Sequence, residues 1–395
     1  MDSTPQVKQS MLHTLVFEPL SGGHRSEFIH HLRAAIEREN RSDRRYTLVL
    51  AKGLLTEKLP KEVHLLELSE EESQALKHAS GIRGTFIFLR LLRHYVKRVH
   101  PDRLLVMELT QLELPLCFWR PPCLFRGILF VQYPELRFDE GGWRKHFRQR
   151  LRFFWKEFKT GLFLRRTHPE RIFLLNGERS CTYLNQRFST SCYQALPDPI
   201  WECPADLQVS MRKEYQIAPE RRLFLFFGSM SPRKGVERLI SALLKIDPET
   251  CRKSAFFFCG KPEEDYAVRY QALIQEVHKK RPEVCLIVEE AFVSAGRMRA
   301  LFEQADWILM PYSRPEYSSG ILGYAVAART PVMVSDDGLI ARQVRAYALG
   351  RTVKKSDWTN AFVQAVHSPY KMDEAICEKF VEEHSPHRFA ALLLE

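Results

Sequence analysis

Short continuous apolar runs alternate along the chain with longer segments whose apolar residues recur every three or four positions. That is the pattern of buried strands followed by amphipathic helices. In the first half, residues 12–18, 46–50, 63–66, 104–107, 127–131 and 172–175 predict strands. Between them, Phe28, Ile29, Leu32, Ala35 and Ile36 mark one helix face, and Phe86, Phe88, Leu89, Leu92 and Tyr95 another. Glu70, Glu71 and Glu72 suit the start of a further helix, where carboxylates complement the dipole. A short helix ends at Phe188, and residues 196–220, where periodicity fades and prolines cluster, read as an interdomain connection.

The alternation restarts in the second half. Residues 223–227, 255–259, 284–288, 307–310 and 331–334 predict strands, with helices around Val236–Leu244, 265–280, 298–305 and 321–328. The tail, 357–395, reads as two or three short helices. Strand–helix repetition through both halves predicts an α/β protein with two Rossmann-like domains, their parallel sheets facing a cleft. The expected domains are 1–200, 201–370, and helices over 371–395 that pack back towards the first domain.

At 395 residues the chain exceeds one ordinary core, and 45% hydrophobic content is that of a globular protein. No apolar run approaches a membrane span, and the first residues lack the layout of a signal peptide. Nine cysteines without a CxxC pair argue for reduced thiols in a cytoplasmic setting. No His/Cys cluster has metal-ligand spacing, so no metal is expected. The net charge of +11 is concentrated. Residues 1–200 hold 32 Lys and Arg against 22 Asp and Glu, which leaves 27 against 26 for the rest. Residues 144–166 alone carry nine Lys and Arg and one acid, Glu157. There Trp143, Phe147, Leu151, Phe154, Phe158 and Leu162 recur at helical spacing. Such a helix fits peripheral attachment to the anionic inner face of a plasma membrane through Arg148, Arg150, Arg152, Phe154 and Trp155. It fits equally a surface helix whose stripe packs on its own domain. Nucleic acid is not an expected partner, because no recognition module accompanies the cations.

The candidate chemistry sits in loops after predicted strands. Ser318, Ser319 and Gly320 open the helix at 321–328, where free backbone N–H groups and the helix dipole can hold an anion. The same residues serve equally as an ordinary N-cap with close packing. Glu316 precedes them, and could pair with Arg314. In the first half, Gly22, Gly23 and His24 lie between the first strand and the first helix, where glycines let backbone approach a ligand.

The segments FLFFGSMSPRKGVERLISAL, AFFFCGK and ADWILMPYSRPEYSSGILGYAVAARTPV resemble the donor-binding half of a GT-B glycosyltransferase of the family 4 type. The resemblance covers about residues 222–350 and includes a subset with SSG before the helix. It implies a retaining enzyme that moves a sugar from a UDP- or GDP-linked donor to a saccharide or lipid-linked acceptor in cell-surface polysaccharide synthesis. No cofactor or metal is implied. The family's glycine–arginine pair falls on Gly228 and Ser229, so the arginine is replaced, while its lysine falls on Lys234. The family's paired acids fall on Glu316 and Tyr324, so the second is replaced. The implied catalytic residues are Glu316 and Lys234. The implied donor contacts are Gly228, Ser229, Arg233, Lys234, Gly235, Gly260, Lys261, Phe292, Val293, Ser318, Ser319, Gly320 and Tyr324. Gly22, Gly23, His24 and Tyr133 would lie on the acceptor side or in the cleft. The two replacements keep open a GT-B protein that binds nucleotide-sugar without transferring it, or one with other nucleotide-sugar chemistry such as epimerisation.

Overall fold

The computed structural model describes residues 11–22, 25–79, 81–138, 147–201, 203–314 and 316–395. Its contacts divide the chain into two compact units. The first ends at Pro197 and is rejoined by Pro386–Glu395, and the second runs from Asp198 to Ser385.

In the first unit, β1 (Leu12–Glu18), β2 (Arg44–Leu50), β3 (Val63–Glu67), β4 (Arg103–Val106), β5 (Leu124–Leu129), β6 (Arg171–Leu175) and β7 (Tyr193–Leu196) form a parallel sheet in the order β3-β2-β1-β4-β5-β6-β7. Successive side chains alternate between its faces. Leu15 and Phe17 therefore join one core with Phe88, Leu92, Phe153 and Phe163, while Val16 joins another with Phe28, Leu32, Phe389 and Leu393. The helix Glu70–Lys77 starts with a capping box, Ser69 and Glu72 bonding each other's backbone N–H.

In the second unit, β8 (Arg222–Phe227), β9 (Ser254–Cys259), β10 (Leu286–Glu289), β11 (Trp307–Met310), β12 (Val332–Ser335) and β13 (Gly350–Val353) form a parallel sheet in the order β10-β9-β8-β11-β12-β13. β9 is buried along its whole length because helices cover both faces, which explains its unbroken apolar run SAFFFC.

Several boundaries differ from the expectation. The connection at residues 196–220 is shorter than predicted. Ile200, Met211 and Ile217 are already buried in the second core, so the chain passes between units at Pro197 and Asp198. The tail is divided. The helix Glu374–Glu383 belongs to the second unit and packs on the helix Gly320–Ala327, whereas Pro386–Leu394 joins the first unit against the helix Arg25–Glu39.

Candidate functional site

In the second sheet, the chain runs outward from β8 through β9 to β10, then returns to add β11 on the other side of β8. The loops after β8 and β11 therefore leave in opposite directions and open a crevice beyond the strand ends. Each sequence-predicted donor residue lies on, or close to, such a strand-end loop.

After β8 the chain makes a single 3-10 turn, Pro232–Lys234. Pro232 supplies a preset φ at the first position, and Gly235 ends the turn at φ 80°, in the left-handed region. A Cβ on Gly235 would stand 1.9 Å from the carbonyl oxygen of Pro311, so only glycine lets the two loops touch. That contact places Lys234, which is buried, against the loop after β11. Its ammonium donates to the Tyr312 hydroxyl at 2.7 Å and lies 4.2 Å from the centre of that ring. The Ser319 hydroxyl is 3.5 Å from the same Tyr312 oxygen. Lys234 and Ser319, 85 residues apart in sequence, thus meet through one phenol.

Ser319 occupies the N-cap position of the helix Gly320–Ala327, but its hydroxyl makes no cap bond. The ordinary cap is therefore not what this serine does. The dipole of this helix has its positive end at Ser319, which Tyr312 links to Lys234. Ser318 turns away and donates to Asp198 at 2.9 Å. Glu316 is buried, with an Arg314 nitrogen 3.5 Å from one carboxylate oxygen. The pairing allowed by the sequence is thus formed, at long range.

Arg238, on the helix Val236–Leu243, fixes the loop after β11. It donates to the Pro311 carbonyl at 2.7 Å and to the Ser335 hydroxyl at 2.8 Å, and Ser335 in turn donates to the Tyr312 carbonyl at 2.7 Å. Burial pulls the Arg238 pKa below the ordinary guanidinium value, with Asp337 and Asp336 opposing. The loops after β8 and β9 are equally close. A Cβ on Gly260 would lie 2.1 Å from the Gly228 carbonyl, and one on Gly228 would be 3.7 Å from the Lys234 ammonium.

The remaining predicted donor residues are spread wider. Ser229 donates to Glu263 at 3.3 Å, and Arg233 lies 3.8 Å from the same carboxylate oxygen. Arg233 therefore leans on Glu263 and does not join Lys234 and Ser319. Lys261 sits 5.4 Å from the ring centre of Phe292, an exposed side chain beside the half-buried Val293. Tyr324 is half-buried one turn into the helix from Gly320.

In the first unit, Gly22 adopts φ 91°, while Gly23 and His24 lie outside the described residues. Tyr133 is buried, its ring 5.5 Å from that of Phe153, so it is a core side chain and not a surface for an acceptor. Burial raises its phenol well above the ordinary value. The equivalent switch point, between β1 and β4, holds groups that the sequence did not single out. Glu18 ends β1, is 1% exposed, and accepts from the Leu20 amide at 3.1 Å. Arg25 stands 3.3 Å from Glu18 and 3.7 Å from Glu108. Burial pushes the Glu18 carboxyl up to about 8 against the pull of Arg25, and Glu108 is raised for the same reason. Perturbed carboxyls at a strand-end crevice are a common mark of functional sites. The missed signals were a carboxylate closing the first strand, another two residues past β4, and a tyrosine two residues past β11.

Residues 208–383 match the family described as glycosyl transferases group 1. No curated protein sequence matches the chain. Among solved structures, it is similar to WaaG, a glycosyltransferase involved in lipopolysaccharide biosynthesis. The identity is 14%, the coverage 97% of this chain and 100% of that one, and the TM-score 0.64. It is also similar to Anabaena Alr3699/HepE in complex with UDP, at 14% identity, 97% coverage of each chain and a TM-score of 0.61. An α,α-trehalose 6-phosphate synthase from Burkholderia multivorans aligns at 10% identity over 98% of this chain and 97% of that one, with a TM-score of 0.68. At these identities the likeness establishes architecture. The fold is GT-B, and the segment that contains Lys234, Glu316 and Ser319 carries the group 1 glycosyltransferase pattern.

Proposed function

We propose that the protein is a retaining, metal-independent hexosyltransferase of the family 4 type. It would move a sugar from a UDP- or GDP-linked donor to a saccharide or lipid-linked acceptor in cell-surface polysaccharide synthesis. The observation that carries this reading is the meeting of Lys234, Tyr312 and Ser319 at the second sheet's switch point. As the bond between sugar and phosphate breaks, negative charge builds on the departing diphosphate and the sugar gains oxocarbenium character. Lys234 and the amides opening the helix at Gly320 stabilise that charge without rearranging, and each such donor contributes on the order of 3 kcal/mol. Glu316 orients a sugar hydroxyl. The acceptor oxygen forms the new bond to the anomeric carbon, and its proton leaves to the departing phosphate. In the first unit, Glu18, Arg25 and Glu108 are the polar groups suited to acceptor hydroxyls. The similarity to WaaG supports a role in surface polysaccharide, and nine free cysteines suit a reducing, cytoplasmic setting.

A panel of nucleoside diphosphates and their sugars, read by thermal shift, tests the proposal. A ligand at a hundredfold its Kd stabilises the folded state by about 2.7 kcal/mol, which raises the melting midpoint. One nucleotide series should give that shift, and Lys234→Ala should remove it together with transfer. A shift that survives Lys234→Ala, or no shift from any nucleotide, overturns the assignment. The replacement of the family arginine by Ser229, itself held by Glu263, favours as second reading a binding subunit. Donor binding without turnover on any acceptor would establish it.

A further inference from the structure

The helix Phe147–Thr167 carries two opposite apolar stripes. Phe153, Thr160, Phe163 and Thr167 are buried against the first sheet. Phe147, Leu151, Trp155 and Phe158 point the other way, each more than half exposed, and the rings of Trp155 and Phe158 stack with centres 5.8 Å apart. Of the stripe expected from the sequence, Phe147, Leu151, Phe154 and Phe158 are turned outward, Leu162 is half-buried, and Trp143 lies outside the described residues.

A second helix of the same layer repeats the arrangement. On Gly81–Val99, Ile82 and Phe86 are exposed, and Arg90, Arg93 and Lys97 continue their stripe at helical spacing. The two helices share one core through Phe88, Leu92, Phe153 and Phe163, and the short helix Glu113–Leu116 packs against each of them. Directly after that short helix, Phe118 projects with 84% of its surface exposed. Next to it, Trp119 lies 5.8 Å from the Arg93 guanidinium, in a groove of about 560 Å³ lined also by Arg90, Lys97 and Arg120.

Charge on this face has one sign. Gly81–Val99 holds five Lys and Arg and no acid, and Phe147–Thr167 holds seven with only Glu157. That glutamate is buried and accepts from Tyr183 and Arg187, while the nearby buried Glu113 is paired with Lys159. The acidic helix Glu70–Lys77 borders the face, held by a hydrogen bond from Tyr95 to Glu72. On the sheet's opposite layer, the helix Arg25–Glu39 balances three arginines with three glutamates. Among the described residues, ten of the sixteen exposed large hydrophobic side chains fall on these two helices and the segment between them, so their exposure is not the usual scatter.

We propose that this layer of the first unit is a docking surface for an anionic lipid bilayer, with the aromatic tips entering the headgroup boundary and lipid phosphates seated in the Trp119 groove. Cations in such excess over acids suit a surface of uniform negative charge. Protruding Phe and Trp side chains, spread over separate elements, suit a fluid partner that needs no fixed complementary positions. Among the described residues no helix is long and apolar enough to cross a membrane, so the contact would be peripheral. The proposal stands independently of the reading of the second unit.

The test is co-sedimentation of the full chain with vesicles of equimolar phosphatidylglycerol and phosphatidylcholine, and with phosphatidylcholine alone. Binding is expected to the first only, and it should weaken with added salt. The triple variant R90Q/R93Q/K97Q should bind roughly a hundredfold more weakly, because each cation near an anionic surface contributes about fivefold. The pair F118S/W155S should lose binding while keeping the native thermal midpoint. Trp155 should also blue-shift on binding, a signal that W155F removes. The substituted side chains of both sets are surface groups, so an unchanged far-UV circular dichroism spectrum and urea midpoint show that the first unit still folds. Equal sedimentation of all variants overturns the proposal. So does a concentration-dependent dimer abolished by F118S/W155S without any vesicle binding, which would make the face a contact between copies.

Discussion

Replacing Gly235 by alanine probes the contact on which the proposed donor site rests. Gly235 has φ 80°, where an alanine costs about 1–2 kcal/mol from backbone sterics alone. Its new Cβ would begin 1.9 Å from the Pro311 oxygen, so the carbonyl has to withdraw by about 1.5 Å to reach an ordinary contact. That oxygen is the acceptor for Arg238 at 2.7 Å, and a hydrogen bond to a charged group contributes about 1.5–3 kcal/mol. The expected loss is about 2.5–5 kcal/mol of stability. The displaced loop also carries Tyr312 away from Lys234, so nucleotide affinity should fall at least about tenfold, equivalent to about 1.4 kcal/mol. Gly53 is the control, since it has φ 72° and nothing within 4 Å of its would-be Cβ. Gly53→Ala should lose only the backbone part, about 1–2 kcal/mol, and leave nucleotide affinity unchanged. Urea denaturation followed by tryptophan fluorescence, with calorimetric titration of the nucleotide found by thermal shift, measures both quantities. Equal losses from the two substitutions would refute the close approach of the loops after β8 and β11.

Two further outcomes follow from named contacts. Tyr312→Phe removes the oxygen shared by Lys234 and Ser319 but keeps the ring, so the fold should hold while nucleotide affinity changes severalfold; identical titrations would take the phenol out of the site. Glu18 keeps its proton in the fold up to about pH 8, whereas the unfolded chain releases it near 4.5. The folded state therefore binds the extra proton between those values, and stability must fall as pH rises through that window. The loss approaches on the order of 4–5 kcal/mol as an upper bound, since each tenfold change in proton affinity is worth about 1.4 kcal/mol. Glu18→Gln should flatten that slope, and denaturation midpoints that keep the native pH dependence would reassign it to other groups.

The strands at the sheet centres were legible because burial on both faces leaves a continuous apolar run. Residues 12–18 and 307–310 were read with their observed limits. β7 and β13 were missed. Each is an edge strand with one neighbour, and YQAL and GRTV carry too little apolar signal to stand out. The helix Phe147–Thr167 exposes a different limit. Apolar on two sides, it offers periodicity no way to choose the inner one, and only the packing of Phe153 and Phe163 decides. In the site, Lys234 and Ser319 could be read from motif spacing. Tyr312, Arg238, Glu18 and Glu108 could not, because their roles come from strand ends that only the sheet order brings together.

The helix Pro386–Leu394 shows when the first unit can be completed. Phe389 packs 4.7 Å from Phe28, Arg126 donates to the Leu393 carbonyl, and Arg44 donates to that of Leu394. During synthesis these partners wait for a segment made after the whole second unit. A nascent chain stopped before residue 386 leaves Phe28, Leu32 and Val16 without their cover, a sticky surface that invites chaperones. The second unit, whose last residue is Ser385, has no such delay and can mature first, reversing the order in which the two were begun.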